Sequence, residues 1–418
     1  MRSSNRAASS DSSSWAIGYR AWTTIVVAFV SRVVDASKST AFVVVIAVTT
    51  QNALYTATLA ILSIVPIIVL GPWAGVLIDR YRPSTMISLS LGAQAVIAAG
   101  LCCCWAGGYR EVWVLLCAAF LLGAARAFTD NSLNVLIPHV TPGDRIHRAN
   151  GLMSTGQSVS SIIGPGIGSA LALASPVGLF GGWAIASGAV ALLAVSVLRT
   201  LPPAQTPGNA PRTRLRDGFV WISHDPPVRR LLTVVTGTNV AYGLLSAVIA
   251  LFALNTIGLD ARLFGLLNSA LSLAGLLGSA LVTTVGSNRV RTMLWVSRVL
   301  MAIGFTLLAA SWSVASIFIF YSLIGLSSGM WNVVSSTALM QAIPKDVMGR
   351  VMATYRSIAF LGSPVGSGLG GILGDVHLRL PLAAASGVAV ASLLIFSRTP
   401  PSASPTPDSG SADEPTSQ

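Results

Sequence analysis

Charge is what this sequence has least of. Of 418 residues only 10% are Asp, Glu, Lys or Arg, while 53% are hydrophobic; a soluble globular domain carries about 25% charged residues. No soluble core hides that much apolar surface behind so few charges, which excludes a soluble enzyme. Lysine is nearly absent, with Lys38 and Lys345 the two in the chain. Neither follows the glycines of a G-x-x-x-x-G-K-[ST] phosphate loop, so the chain holds no ATP-driven motor. Histidine is sparse as well: His139, His147, His224 and His377 fall far apart and in loops. There is no H-E-x-x-H pair and no buried base for serine chemistry, so neither a metal nor a cofactor is expected, and no catalytic activity. Cys102, Cys103, Cys104 and Cys117 lie in or near apolar runs and read as free, small hydrophobes. The first fourteen residues are polar and serine-rich, without the apolar core of a cleaved signal peptide.

What the sequence does have is long apolar runs. Segments within 22–48, 54–77, 85–105, 112–136, 150–172, 177–198, 229–254, 262–285, 290–310, 314–338, 350–373 and 380–397 predict twelve membrane-spanning helices. The stretch GPWAGVLIDRYRP, residues 71–83, interrupts this pattern with Asp79, Arg80 and Arg82. The distribution of positive charge explains the interruption. With the N-terminus cytoplasmic, eighteen basic residues fall on the inner side, among them Arg80, Arg82, Arg145, Arg148, Arg212, Arg214, Arg216, Arg289 and Arg350. Three fall outside: Arg110, Arg262 and Arg379. That bias places both termini in the cytoplasm of a cell inner membrane and makes 79–82 a cytoplasmic turn. Net charge is +12, but the basic residues stand singly or in small groups between apolar runs. The partner they imply is a lipid bilayer and not a nucleic acid.

Five regions follow: an N-tail, 1–14, and a C-tail, 399–418, both expected to be disordered; six-helix bundles at 15–198 and 229–398; and a central cytoplasmic loop, 199–228, with a short surface helix near 215–223. The two bundles look like copies. PGDRIHRANGLMSTG from Pro142 matches PKDVMGRVMATYRSI from Pro344 in proline, aspartate and arginine, pairing Asp144 with Asp346 and Arg148 with Arg350 at a displacement of 202 residues. GPGIG (164–168) and SPVGSG (363–368) follow in equivalent helices. Two similar halves around a central substrate site are a transporter plan that works by rocking.

On these residues the chain, from about 17 to 398, resembles the major facilitator superfamily, and within it the twelve-span bacterial exporters of drugs, macrolides and siderophores. Gly75, Asp79, Arg80 and Arg82 fit the family's loop 2–3 signature, although Pro83, Ser84 and Thr85 replace its later residues. Gly164, Pro165 and Gly168 resemble the antiporter motif of the fifth span, with Ser169 where a second glycine is common. The resemblance implies an all-α fold of two pseudo-symmetric six-helix bundles. It also implies proton-coupled export of a small amphipathic organic compound, such as an antibiotic, siderophore or secreted metabolite, by a protein working as a monomer. The alternative is an importer of a small polar nutrient.

The resemblance assigns Gly75, Asp79, Arg80, Arg82, Asp144, Arg148, Asp346 and Arg350 to gating. Asp79 would accept from the free N–H groups at the start of the eleventh span; the duller reading is a helix end anchored to lipid. Within the membrane, Arg32, Asp35 and Lys38 recur every three residues on one face of the first span, with Asp35 ~20 Å along it. A charge at that depth is paired or faces a wet cavity. Arg126, Asp130 and Asn134 share a face of the fourth span. Both sets are candidates for proton coupling or cavity lining, against a purely structural pairing. Desolvation and neighbouring cations act in opposite directions on a carboxylate's proton affinity. Arg298 and Arg356 stand near span ends and are expected to snorkel outward. In the second half Asn239, Tyr242, Trp331, Asn332 and Ser335 are candidate substrate contacts, or else packing residues.

Overall fold

The computed structural model describes residues 19–81, 83–141, 143–198, 215–284, 289–344 and 347–397. Both expected tails, most of the central loop, Arg82 and Asp346 lie outside the described residues, as do the side chains of Gly75, Asp79, Arg80, Asp144 and Arg350.

The described chain is helical, with no strand among the described residues. In order the helices are α1 (Tyr19–Thr50), α2 (Ala53–Arg80), α3 (Pro83–Ala106), α4 (Val112–Val140), α5 (Ile146–Ala174), α6 (Pro176–Leu198), α7 (Leu215–His224), α8 (Pro226–Leu251), α9 (Phe264–Thr283), α10 (Val290–Ala309), α11 (Val314–Ala342), α12 (Met348–Val376) and α13 (Arg379–Ser397). Eleven helical segments are long and apolar enough to cross a membrane. The expectation was twelve, and the exception is α5. That helix is 29 residues long, but its middle carries Ser154, Thr155, Gln157, Ser158, Ser160 and Ser161. Its length spans a bilayer; its composition belongs to a helix with one face turned to something polar.

Short links make successive long helices antiparallel neighbours. The link regions at 51–52, 107–111, 175, 257–260, 310–313 and 377–378 therefore gather at one end of the molecule, called here the near end. The helix ends at Arg80 and Pro83, at Val140 and Ile146 and at Ala342 and Met348, and both ends of the described chain, gather at the opposite, far end. Helix starts are fixed locally: Asn52 accepts from Leu54 N–H, and Asp225 from Val228 N–H. Ser313 and Ser316 form a reciprocal capping box. The short helix α7 lies in the central loop, with Ile222 buried and Phe219 and Val220 exposed.

The first half packs around Phe42, Trp105, Phe180 and Trp183, whose rings meet edge-on or tilted at centroid separations of 5.3 to 6.4 Å. Elsewhere the helices approach by way of glycine, as they must where lipid offers little hydrophobic drive for association. A Cβ on Gly164 would stand 2.5 Å from that of Ala36, and one on Gly168 would strike the Ser37 carbonyl, so α5 lies backbone to backbone on α1. In the second half Gly362 and Gly366 of α12 do the same against Thr236 and Val240 of α8. The duplicated motifs thus make equivalent contacts, first helix to fifth in each half.

Contacts between the halves gather at the near end. Gly371 and Gly374 of α12 lie on Ala57 and Ala53 of α2, and Thr56 Oγ1 donates to the Ala247 carbonyl. Ser269 Oγ of α9 donates to the Ile162 carbonyl at 2.5 Å, close to where Pro165 interrupts the α5 ladder. Ser169, the residue that departs from the family's glycine, spans the joint: its Oγ accepts from Gly265 N–H at 3.0 Å and donates to the Arg262 carbonyl at 3.2 Å. Val44, Ala47, Ala53 and Ala57 of the first half share one buried cluster with Ala241, Leu244, Ala247 and Val248 of the second. The molecule is sealed at its near end.

Candidate functional site

Immediately beyond the Ile162–Ser269 seal, toward the far end, lies a cavity of about 570 Å³ between the halves. Its walls come from α5 (Ser154, Thr155, Gln157, Ser158, Ser161), α9 (Ser272, Ser279), α8 (Tyr242) and α11 (Ser328, Asn332), with Leu271, Leu276 and Val159 as apolar patches. This is what the serine face of α5 turns toward. Hydroxyls and amides outnumber charges on these walls, and none of the lining residues is ionisable at neutral pH. The volume falls within the range of pockets for drug-sized ligands, about 300–1,000 Å³.

Of the five substrate candidates, the structure places Tyr242 and Asn332 on the cavity wall. Asn239 donates its Nδ2 to the Val235 carbonyl of its own helix at 3.0 Å. Trp331 is turned into the second bundle, 3% exposed, and Ser335, half-buried on α11, is not among the lining residues. The serines of α5 and α9 went unremarked in the sequence, since serine is common in spans. Their crowding at 154–161 was the available signal.

A second cluster lies in the first half, where α1, α3 and α4 meet. Lys38 Nζ sits 2.8 Å from Asp35 Oδ1, with the two side chains 6% and 10% exposed. Arg126 Nε reaches both carboxylates, standing 3.9 Å from Asp35 Oδ2 and 3.3 Å from Asp130 Oδ2. Lys38 Nζ also donates to Gln94 Oε1 at 2.6 Å. Gln94 Nε2 in turn donates to Thr129 Oγ1 at 3.2 Å, and Ser90 Oγ shares a 2.8 Å bond with the same hydroxyl. The order is one buried ion pair, a bridging arginine and an outer carboxylate. Arg126 and Asp130, with side chains 42% and 38% exposed, form the open side, and Asn134 continues it as an exposed residue.

Two details correct the expectations. Asp35 pairs with Lys38 on its own helix but makes no direct ion pair with Arg32, which acts on it at longer range. Its second cation is Arg126 of α4, whereas Arg32 turns to α5 and donates Nη1 to the Met153 carbonyl at 3.5 Å. Spacing along one helix put three charges on a face; the neighbouring helices divided them. Nor does Arg298 snorkel, being 1% exposed within the second bundle. Gln94, a partner the sequence reading missed, was legible only as a lone amide inside the apolar run 83–106. Of the gating set, Arg148 stands exposed on the first turn of α5, Asp79 and Arg80 close α2, and Arg350 falls in the first turn of α12, both at the far end.

Gly164 and Gly168 carry α5 against Ala36 and Ser37, the two residues between Asp35 and Lys38. Through this packing the ion cluster on α1 and the cavity wall on α5 are parts of one unit. The sequence of this helical chain, folded as two glycine-packed halves with a cavity between them, is matched by a family profile described as Major Facilitator Superfamily over residues 22–367 and 288–418. The chain belongs to the major facilitator superfamily. As a member it is a multi-pass membrane protein of a family that moves small molecules across the bilayer. Among curated relatives it is 23% identical over 357 residues to macrolide efflux protein A of Streptococcus pyogenes, covering 83% of this chain and 87% of that one. It is 26% identical over 347 residues to the enterobactin exporter EntS of Shigella flexneri, covering 78% and 81%. Among solved structures, the nucleoside transporter NupG superposes with a TM-score of 0.70 at 12% identity, covering 91% of this chain and 98% of that one. A bacterial homologue of the lysosomal transporter Spinster, inward-facing and unoccupied, gives 0.67 at 14% identity, covering 91% and 97%. At such identities the structural likeness speaks for the fold alone.

Proposed function

We propose that this protein is a secondary exporter that exchanges protons for a small amphipathic organic compound by alternating access. The observation that carries the reading is the cavity of about 570 Å³ between the two halves, lying on the far side of the near-end seal. With the arginine-rich far end placed in the cytoplasm by the positive-inside rule, this is an inward-open state, ready to load from the cell. The cavity's mixture of hydroxyls, amides, one phenol and leucine patches suits an amphipathic molecule better than an inorganic ion. Export draws support from relatives named for efflux, and proton exchange from the ion cluster of α1 and α4. In that cluster Asp35 and Asp130 compete for Arg126, so one proton added to either redistributes the pairing. In the opposite state the resemblance assigns closure of the cytoplasmic side to Asp79, Asp144 and Asp346 together with Arg80, Arg82, Arg148 and Arg350.

The test is a compound panel applied to cells with and without the gene. Expression is expected to raise tolerance to at least one amphipathic antibiotic, or to increase the release of an endogenous amphipathic metabolite. Accumulation of a sugar, nucleoside or amino acid inside the cells would instead establish the importer.

A further inference from the structure

The second half contains a buried cation with no ion-pair partner among the described residues. Arg298, eight residues into α10, is 1% exposed. Its guanidinium carbon lies 3.5 Å above the centroid of the Trp331 ring, and Nη1 donates to Thr238 Oγ1 at 2.7 Å. Nε and Nη2 have no hydrogen-bond partner among the described residues. Among the described side chains no carboxylate pairs with it: those of this half are Asp225, Asp260 and Asp375, all at helix ends. A buried guanidinium without a counter-charge is costly, and an apolar residue of similar volume would be cheaper to keep there. Stacking on Trp331 offsets part of that cost. It leaves both remaining donors idle.

Those two donors are not scattered. Nε and Nη2 form the outer edge of the planar guanidinium, the edge that matches the two oxygens of a carboxylate. The groups around it also point to a ligand. Tyr242 and Tyr355 are the phenols that interact with the charge, and Tyr242 is at the same time part of the cavity wall. Its hydroxyl donates to the Ile324 carbonyl at 3.3 Å and also bonds Ser328, another wall residue, so the phenol is tied to α11 at the cavity. Trp331, the stacking partner, directly precedes Asn332, another wall residue. Tyr242 thus borders the cavity and interacts with the buried charge.

We propose that Arg298 is an oxyanion site of the cavity, and that the transported compound is an amphipathic acid whose carboxylate takes the Nε–Nη2 edge when Tyr242 turns aside. This rests on the transport reading above and adds the charge of the cargo. Thr238 holds the guanidinium in plane through Nη1, Trp331 supports its face, and the serine-lined walls take the rest of the molecule.

The test uses the purified full chain and a matched pair of probes, dansylglycine and its neutral amide, with binding followed by energy transfer from tryptophan. Wild type is expected to bind the acid about ten-fold or more tightly than the amide, the scale of a charge-assisted bidentate contact. Arg298→Gln is expected to bring the acid down to the level of the amide while leaving amide binding unchanged, which also reports that the variant is folded. Arg298→Lys keeps the buried charge without the two-donor edge, and is expected to retain only a minor part of the preference. An acid preference that persists in Arg298→Gln or is full in Arg298→Lys, or a wild type with no preference, overturns the proposal. Equal binding of both probes by wild type would do so while leaving the exporter reading in place, because that reading is judged on efflux alone.

Discussion

Asp35→Asn is expected to abolish accumulation driven by a pH gradient while leaving exchange of the compound down its own gradient. The amide preserves the shape of the side chain and removes its charge. Lys38 remains held by Gln94, so the bundle keeps its polar contact between α1 and α3. What is lost is the competition for Arg126. In the present arrangement Arg126 spans Asp35 at 3.9 Å and Asp130 at 3.3 Å; with Asp35 neutral it belongs to Asp130 in every state. A protonation cycle at Asp35 is the simplest way for this cluster to report the proton gradient to α1. The α1 backbone then carries the change to α5 through Gly164 and Gly168. In liposomes with an imposed pH gradient, accumulation should fall to the level of equilibration, with counterflow retained. Full pH-driven accumulation in this variant would remove Asp35 from the coupling path. Loss of both activities together with folding would make the cluster structural. Asp130→Asn, measured alongside, decides whether the outer carboxylate carries the proton instead.

Cross-linking the seal is expected to stop transport altogether. Gly368 of α12 faces Ile61 of α2, where a Cβ on the glycine would lie 3.8 Å from the isoleucine Cδ1. In a background without Cys102, Cys103, Cys104 and Cys117, the pair Ile61→Cys and Gly368→Cys should be bridged by a short bifunctional thiol reagent. Alternating access requires α2 and α12 to separate at this end once per cycle. The bridge should therefore trap the inward-open state, reduce turnover to background and release it on reduction. Unimpaired transport by the cross-linked protein would mean that the near end does not open.

How much of this was legible in the sequence depended on whether the information lay within one helix or between helices. The spans were visible because hydrocarbon demands long apolar runs, and the duplication because Pro142, Asp144 and Arg148 recur at Pro344, Asp346 and Arg350. The packing role of Gly164 and Gly168 could be anticipated, since close approach leaves room for nothing larger. Pairings between helices could not. Asp35 found Arg126 instead of Arg32, and Lys38 found Gln94, because the rotation of each helix is set by neighbours that periodicity does not identify. Arg298 was misjudged for the same reason: its distance from the span end allowed snorkelling, and only the position of Trp331 on α11 explains why it turns inward. Ser169 looked like a weakened motif in the sequence. In the fold it bonds both Gly265 and Arg262 across the joint. The serine face of α5 cost the helix its apolar signature, and that loss was itself a mark of the cavity it lines.

The most direct test of proton-coupled export uses inverted membrane vesicles, in which the cytoplasmic face is outside. A compound selected by the panel is added with the vesicle lumen made acid, and its uptake and the loss of the pH gradient are followed together. The account predicts concentrative uptake into the lumen, collapse of that uptake when an uncoupler removes the gradient, and proton release from the lumen on addition of the compound. Uptake that never exceeds equilibration, or that is indifferent to the pH gradient, would contradict it.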